Sequence, residues 1–359
     1  MPFPQPEGLA DDAPPAAVAA RAVEMAREGD PRAALALAQR ARRRAHQLGT
    51  GEAEALNAAA VVHLIRGDPI SAVAAAIDAA HLAHRLGARA PLWHARVSLG
   101  VAANALGARD DVCLLLSRCV EEAIGQGDAE LEVRSRVALG IALGDAWSFS
   151  AAQTEFARSL LIARIRPTGT SPARITANVA NLHRKRAGAL AAAHYEEEAV
   201  RECRESVSVA QRACVIAIEE GSLTILIDAL AIHGCVLAQL GRPEHARALL
   251  AESAALGTSR RCRSPLPWVL CELGSVALEL GDVPAARQAY TEALAIASEL
   301  TPSRKIDAAC HGLADVEARL GDGSAALKWR TRASEEAGAF DRARLQTRRQ
   351  LEEFFSAES

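Results

Sequence analysis

The chain has 359 residues, a formal net charge of −3 and a half-apolar composition in which aromatics make up only 3 %. That length exceeds what one compact core spans, so several domains or one elongated repeat are expected. A near-neutral balance excludes the global basic field of a nucleic-acid or anionic-membrane binder. Ala, Leu and Val carry the apolar share, which favours close-packed helices over a β-sandwich. Lysine occurs only at Lys185, Lys305 and Lys328, and arginine supplies nearly all the positive charge.

From the N-terminus, Met1 to Pro15 combines proline with acidic residues and has neither a basic nor an apolar signal region, so a disordered tail is expected. The apolar runs that follow are interrupted by Arg, Glu, Asp or His well short of a membrane span. The eight cysteines form no C-x-x-C pair and are expected as small buried residues of a cytoplasmic chain.

Residues 16–338 carry a recurring phrase: an apolar helix, a glycine turn often followed by Asp, and Ala five residues after the glycine. It stands at Gly29 with Ala34, Gly67 with Ala72, Gly241 with Ala246, Gly281 with Ala286 and Gly321 with Ala326. Gly107 keeps the turn but has Val112. Two degenerate turns fall near Trp147, with Ala152, and near His194, with Ala199. The spacings between the eight turns are 38, 40, 40, 47, 47, 40 and 40. A second small residue follows each turn by twelve: Ala41, Ala79, Cys119, Ser159, Ser206, Ser253, Ala293 and Ala333. Glycine ends a helix in the left-handed conformation, Asp caps the next one, and Pro31, Pro69 and Pro243 suit a first turn that needs no backbone donor. The pattern predicts an all-α, right-handed solenoid of about eight helix pairs.

Within it, the stretch from Pro172 to Gly221 has the wider spacings and contains Tyr195 and the acidic run Glu196, Glu197 and Glu198. It is read as longer helices that bend the superhelix, form a binding feature or constitute a plain insertion. The breaker-rich segment from Arg166 to Pro172 is read as a loop between repeats, because helical periodicity resumes near Ala173. Residues 339–359 are expected as a C-terminal helix. Phe340, Leu345, Leu351, Phe354 and Phe355 allow it either to cap the last repeat or to form a coiled coil that makes a homodimer or joins an output module.

Leu99-Gly100, Leu139-Gly140 and Leu273-Gly274 precede their turns by seven residues, and Leu273 to Ala297 reads LGSVALELGDVPAARQAYTEALAIA. These features resemble the tetratricopeptide repeat, over about residues 16 to 338. The unit is longer than the usual 34 residues of that repeat by about six. It is similar to the long-helix variety of bacterial regulatory proteins: the repeats of MalT-like activators, Rap-type peptide receptors and regions joined to diguanylate cyclases. The resemblance implies a protein- or peptide-binding scaffold, with a sensor or dimerisation region of a multidomain regulator as the alternative.

No metalloprotease, P-loop, nucleophile-elbow or dinucleotide motif occurs, so neither an enzyme nor a cofactor is expected. His81 and His84 sit three apart on a helix, but two ligands make a weak metal site and no third is implied. The arginine clusters 40–44 and 260–263 lack interleaved aromatics and are read as solvated faces, with no nucleic acid as direct partner. Aligning the first helices by their turns places Asn57, His94, Asn104, Arg134, Asn181, Arg184, Asp228, His311, Asp315 and Arg319 on or near the concave lining. Asparagine can hold a peptide backbone by donating and accepting, and arginine can take a carboxylate through two bonds. These residues could instead solvate the face or bridge neighbouring helices. The lysines of the chaperone-tail carboxylate clamp are missing from the equivalent places.

Overall fold

A computed structural model describes residues 13–27, 31–259, 262, 265–298 and 304–358. Among the described residues the chain forms sixteen α-helices and no strand. They make eight successive pairs. The first four are α1 (Pro15–Arg27) with α2 (Pro31–Leu48), α3 (Glu52–Arg66) with α4 (Pro69–Arg85), α5 (Arg89–Ala105) with α6 (Arg109–Gln126), and α7 (Ala129–Asp145) with α8 (Phe149–Ile165). The second four are α9 (Pro172–Ala192) with α10 (Glu196–Glu219), α11 (Leu223–Gln239) with α12 (Pro243–Ser259), α13 (Leu266–Glu279) with α14 (Val283–Ala297), and α15 (Arg304–Arg319) with α16 (Gly323–Glu358). The predicted tail lies almost wholly outside the described residues, as do the turn at Gly29 and Arg260, Arg261 and Arg263.

The second turn shows how the phrase works. Gly67 adopts φ 86°, and its N–H and that of Asp68 close on the carbonyls of Leu64 and His63. The Asp68 carboxylate then accepts from the N–H of Ser71 at 3.0 Å and Pro69 opens α4. The two degenerate turns adopt the same backbone. Trp147 and His194 both have φ 63°, a conformation costly for a residue with a Cβ and here held by the helices on either side. The wide spacings come from a six-residue loop before α9 and from the lengths of α9 (21 residues) and α10 (24 residues). In that loop the N–H of Gly169 donates to Glu130, and the hydroxyl of Ser171 both caps α9 and donates to Glu220.

Packing within each pair follows the register. Every residue five after a turn is buried, and every residue twelve after it has no exposed surface. At two of the latter positions a hydroxyl reaches the first helix: Ser206 donates to the carbonyl of Ala180 (2.7 Å) and Ser253 to that of Ile227 (2.8 Å). Both carbonyls lie fourteen residues before their turn. Closer to the turn, position −7 faces position +9. A methyl group built on Gly100 would lie 2.7 Å from Leu116, one on Gly140 2.9 Å from Phe156, one on Gly234 2.8 Å from Leu250, and one on Gly274 2.8 Å from Tyr290. In three pairs where position −7 is alanine, position +9 is small: Ala22 with Ala38, Ala60 with Ala76, Ala187 with Cys203, all buried. The last pair departs from this, with Ala314 at −7 and Arg330 at +9. In the other seven pairs volume is conserved across the contact, as close packing requires.

First helices of neighbouring pairs pack on one another from α1 to α15, whereas each second helix packs on the first helices beside it. This places the first helices on the concave side. The superhelix then closes on itself. The hydroxyl of Thr224, at the start of α11, donates to the carbonyl of Arg27 at the end of α1 (2.8 Å), across 197 residues. The last helix, α16, is 36 residues long, roughly 54 Å, and continues through position 338 without a break. Its far end packs on the second pair: the ring of Phe354 lies 5.3 Å from that of His81 on α4, and Phe354, Leu351 and Phe340 join the core of pairs two to four. Phe340, Leu351 and Phe354 are thereby buried within the chain, whereas Leu345 on the same helix is exposed.

Two outcomes are expected. Gly100→Ala should cost about 1–3 kcal/mol by overpacking. Combined with Leu116→Ala it should give a double-mutant coupling above about 1 kcal/mol in denaturant titrations, because Ala with Ala is the pairing native to the second pair; additive effects would contradict the contact. Phe354→Ala should remove about 3 kcal/mol or more of local packing, speeding amide exchange over residues 345–356 by about a hundredfold. Unchanged exchange there would show that the contact does not hold α16.

Candidate functional site

Polar side chains of α5, α7, α9, α11 and α15, with a backbone carbonyl of α13, are joined along the first helices, and their partners are mostly one repeat apart. His94 on α5 meets Arg134 on α7, with Arg134 Nη1 donating to His94 Nδ1 at 2.9 Å. Arginine can only donate, so Nδ1 must accept and His94 is the neutral tautomer protonated on Nε2. Burial, then the Arg134 charge, lower the His94 pKa from 6.5 to about 4, against a smaller opposing effect of Asp128. Burial also lowers the Arg134 pKa, which Glu130 partly restores and Arg27 depresses further.

Deeper along the channel, Asn104 Nδ2 donates to Asp145 Oδ2 at 2.8 Å, while the other Asp145 oxygen takes the ammonium of Lys185. This links α5, α7 and α9. Asn181 Oδ1 accepts from Arg184 Nε at 3.0 Å on α9 itself. Asp228 on α11 pairs with Arg174 on α9. It also offsets the burial that lowers the pKa of Lys305 on α15. Arg319 donates to the carbonyl of Leu278 on α13. His311 Nε2 lies 3.1 Å from Asp307, and both His311 and Asp315 are exposed at the last first helix. The side-chain oxygens of Asn57 and Asn104 are enclosed without a hydrogen-bond partner.

Of the ten residues expected on this face, the structure joins His94 to Arg134 and Asn181 to Arg184, and gives most of the others partners that the sequence reading passed over. Those partners are Asp145 for Asn104, Arg174 for Asp228, Asp307 for His311 and the Leu278 carbonyl for Arg319. A signal for some of them existed, since 94 with 134, 104 with 145 and 145 with 185 are separated by one period. Arg174 and Asp228 are 54 apart because α9 and α10 are long.

Burial pushes the thiols in this half of the molecule up, to about 11 for Cys214 and about 12 for Cys271, so they stay protonated at neutral pH. Among the described residues no three metal-ligating side chains converge. His81 is engaged by Phe354. No helix among the described residues is long and apolar enough to cross a membrane. An apolar hollow of about 640 Å³ lies along α14 beside Val283, Arg287, Thr291 and Leu320, outside the polar lining.

No family model matches the chain, and a search of curated proteins finds no match. Solved structures do match. Apo RapI superposes with a TM-score of 0.55 at 10 % identity, over 81 % of this chain and 98 % of RapI. The fold is a tetratricopeptide-repeat solenoid. A Rap protein complexed with Competence and Sporulation Factor gives 0.54 at 10 % identity, over 92 % of this chain and 99 % of that one. Cut9, from the Cut9–Hcn1 hetero-tetramer of the APC/C, gives 0.53 at 16 % identity, over 90 % of this chain but only 54 % of its own. The expected Rap-like, long-helix repeat architecture is therefore present, and these likenesses speak for the fold.

In this repeat channel His94 makes stability depend on pH. Its folded pKa, about 4, lies below its unfolded value of 6.5. As pH falls from 6.5 the unfolded chain takes the proton first. The native state therefore loses up to about 3 kcal/mol by pH 4, and the effect levels off below that. From neutral pH towards pH 4 the wild type should lose up to about 3 kcal/mol more than His94→Gln, so the gap between their denaturation midpoints should change over that range; parallel curves would show that His94 is not held neutral.

Proposed function

We propose that this chain is a non-enzymatic scaffold in bacterial signalling or regulation that takes a protein or peptide segment into its concave channel. The observation that carries this reading is the channel lining. Donors and acceptors on successive first helices engage one another from helix to helix, inside a superhelix that α1 closes on α11. Such a surface suits an extended chain, which presents donors and acceptors at regular intervals. Supporting it, one protein of similar architecture was solved with Competence and Sporulation Factor.

The proposed contacts are Asn57, His94, Asn104, Arg134, Asn181, Arg184, Asp228, His311, Asp315 and Arg319. Because half of them already bridge helices, the cost of ordering those is met before a ligand arrives, which favours binding. The alternative, a dimerising region of a multidomain regulator, draws on α16. Leu351 and Phe354 of that helix are buried inside the chain, so the scaffold is preferred.

A peptide array probed with the purified chain should return binders whose affinity falls at least about tenfold in the Asn104→Ala, Asn181→Ala double variant, the loss of two hydrogen bonds at roughly 1 kcal/mol each. Binding indifferent to both substitutions would remove the channel as the site.

A further inference from the structure

The hairpin between α9 and α10 stands out of line with its neighbours. Between α5 and α7 the partners are level: His94 and Arg134 each lie thirteen residues before their turns and meet at 2.9 Å. Around α9 the count shifts by seven on both sides. Lys185, nine before the turn at His194, meets Asp145, two before the turn at Trp147. Arg174, twenty before the same turn, meets Asp228, thirteen before the turn at Gly241. The second helix agrees, since α10 has 24 residues where α8 and α12 have 17. The tip therefore projects two helical turns, roughly 10 Å, beyond the turns beside it.

Its surface differs from the rest of the chain. Tyr195 on the tip is 56 % exposed, and Trp147 on the neighbouring lower turn is 61 % exposed. Every other aromatic side chain among the described residues is buried or half-buried. Both stand at turns where the backbone favours glycine, since Trp147 and His194 take φ 63° and glycine serves the other described turns within pairs. Next to Tyr195, Glu196, Glu197 and Glu198 are all exposed, and none has a hydrogen-bond or ion-pair partner among the described residues. No lysine or arginine occurs between Arg186 and Arg201, and Arg186 is turned to Glu202 at 3.2 Å.

An exposed ring face attracts a cation, and an unpaired carboxylate holds the same cation by a charge-assisted hydrogen bond. Arginine meets both demands at once, because its flat guanidinium stacks on a ring while its edge donates to a carboxylate. We infer that the α9–α10 tip and the turn at Trp147 form a second docking surface, which takes an arginine-bearing segment of a partner protein. The two rings differ in height by about 10 Å, a span that two arginines three residues apart cover in an extended segment. One arginine stacks on Tyr195 and pairs with a glutamate, and the other lies over Trp147. This surface is on the turn edge, outside the channel lining, and does not depend on the scaffold reading.

The test uses the full chain with isotope-labelled tryptophan and the N-acetylated, amidated peptide Gly-Arg-Gly-Gly-Arg-Gly, with its lysine and glutamine counterparts. The Trp147 indole signal, assigned from its loss in Trp147→Gly, should shift and saturate with the arginine peptide. That peptide should bind at least about tenfold more tightly than the glutamine one and a few-fold more tightly than the lysine one. By calorimetry, replacing Glu196, Glu197 and Glu198 together with Gln should weaken binding at least about tenfold, and Tyr195→Ala a few-fold. Glu244→Gln, at an exposed glutamate in the first turn of α12, should change nothing. Trp147→Gly should raise the denaturation midpoint yet weaken binding a few-fold, a loss that unfolding does not explain. Equal binding of the arginine and glutamine peptides overturns the surface. So does a triple variant that binds like the wild type, or a loss in Glu244→Gln as large as in the triple variant. The Asn104→Ala, Asn181→Ala double variant should bind the arginine peptide as the wild type does; loss there would put the peptide in the channel and overturn the second surface.

Discussion

How closely two backbones can approach near each turn governs the rest of this molecule. Seven residues before the turn and nine after it, one partner must give way to the other. In seven of the eight pairs glycine stands against Leu116, Phe156, Leu250 or Tyr290, or alanine has alanine or cysteine as its counterpart; the last pair, with Ala314 and Arg330 at these positions, departs from it. Tyr290 is the tightest case, since its ring lies against both Gly274 and Gly312 of successive first helices. Because the same separation recurs pair after pair, the rotation between pairs accumulates into a regular superhelix. The polar channel is a product of that regularity: side chains one period apart face one another only if the pitch is kept.

The channel lining is a set of bridges as much as a set of contacts. Asp145 collects Asn104 and Lys185 from the helices on either side, and Asp228 collects Arg174 while easing the burial of Lys305. A charge held in this way keeps neighbouring first helices in step and keeps its own geometry fixed towards the axis. Stability and recognition therefore draw on the same residues, so a substitution in the lining should be judged on both.

Much of this was legible in the sequence, and for a physical reason. Turn chemistry and small residues are local, and locally determined features repeat. The turns at Trp147 and His194 are instructive, since neither residue type signals a left-handed backbone, yet the spacing of the repeat placed turns close to both. The facing of the lining could be read from helical register. Its pairings could be read in part, where partners differ by 40 or 41 positions. Where α9 and α10 lengthen, that arithmetic fails and Arg174 with Asp228 escapes it. The long-range closures were not legible. Whether Arg27 reaches Thr224, or Phe354 reaches His81, depends on small rotations summed over several pairs, and no local pattern encodes the sum. The C-terminal helix illustrates this: its apolar residues called for burial, but their location four to six repeats back along the chain did not follow from them.

Those two closures alter what kind of folding object the chain is. An open solenoid is held by neighbour-to-neighbour interfaces, so it can fray from either end and fold from any nucleus. Joining α1 to α11 and α16 to α4 ties both ends into contacts that no neighbouring pair supplies. Fraying from an end then has to break a long-range contact as well as a local one. The closing contacts themselves form late, since they join segments separated by most of the chain and reward folding only after the intervening repeats are in place. A one-dimensional array thereby acquires the cooperativity of a globular domain.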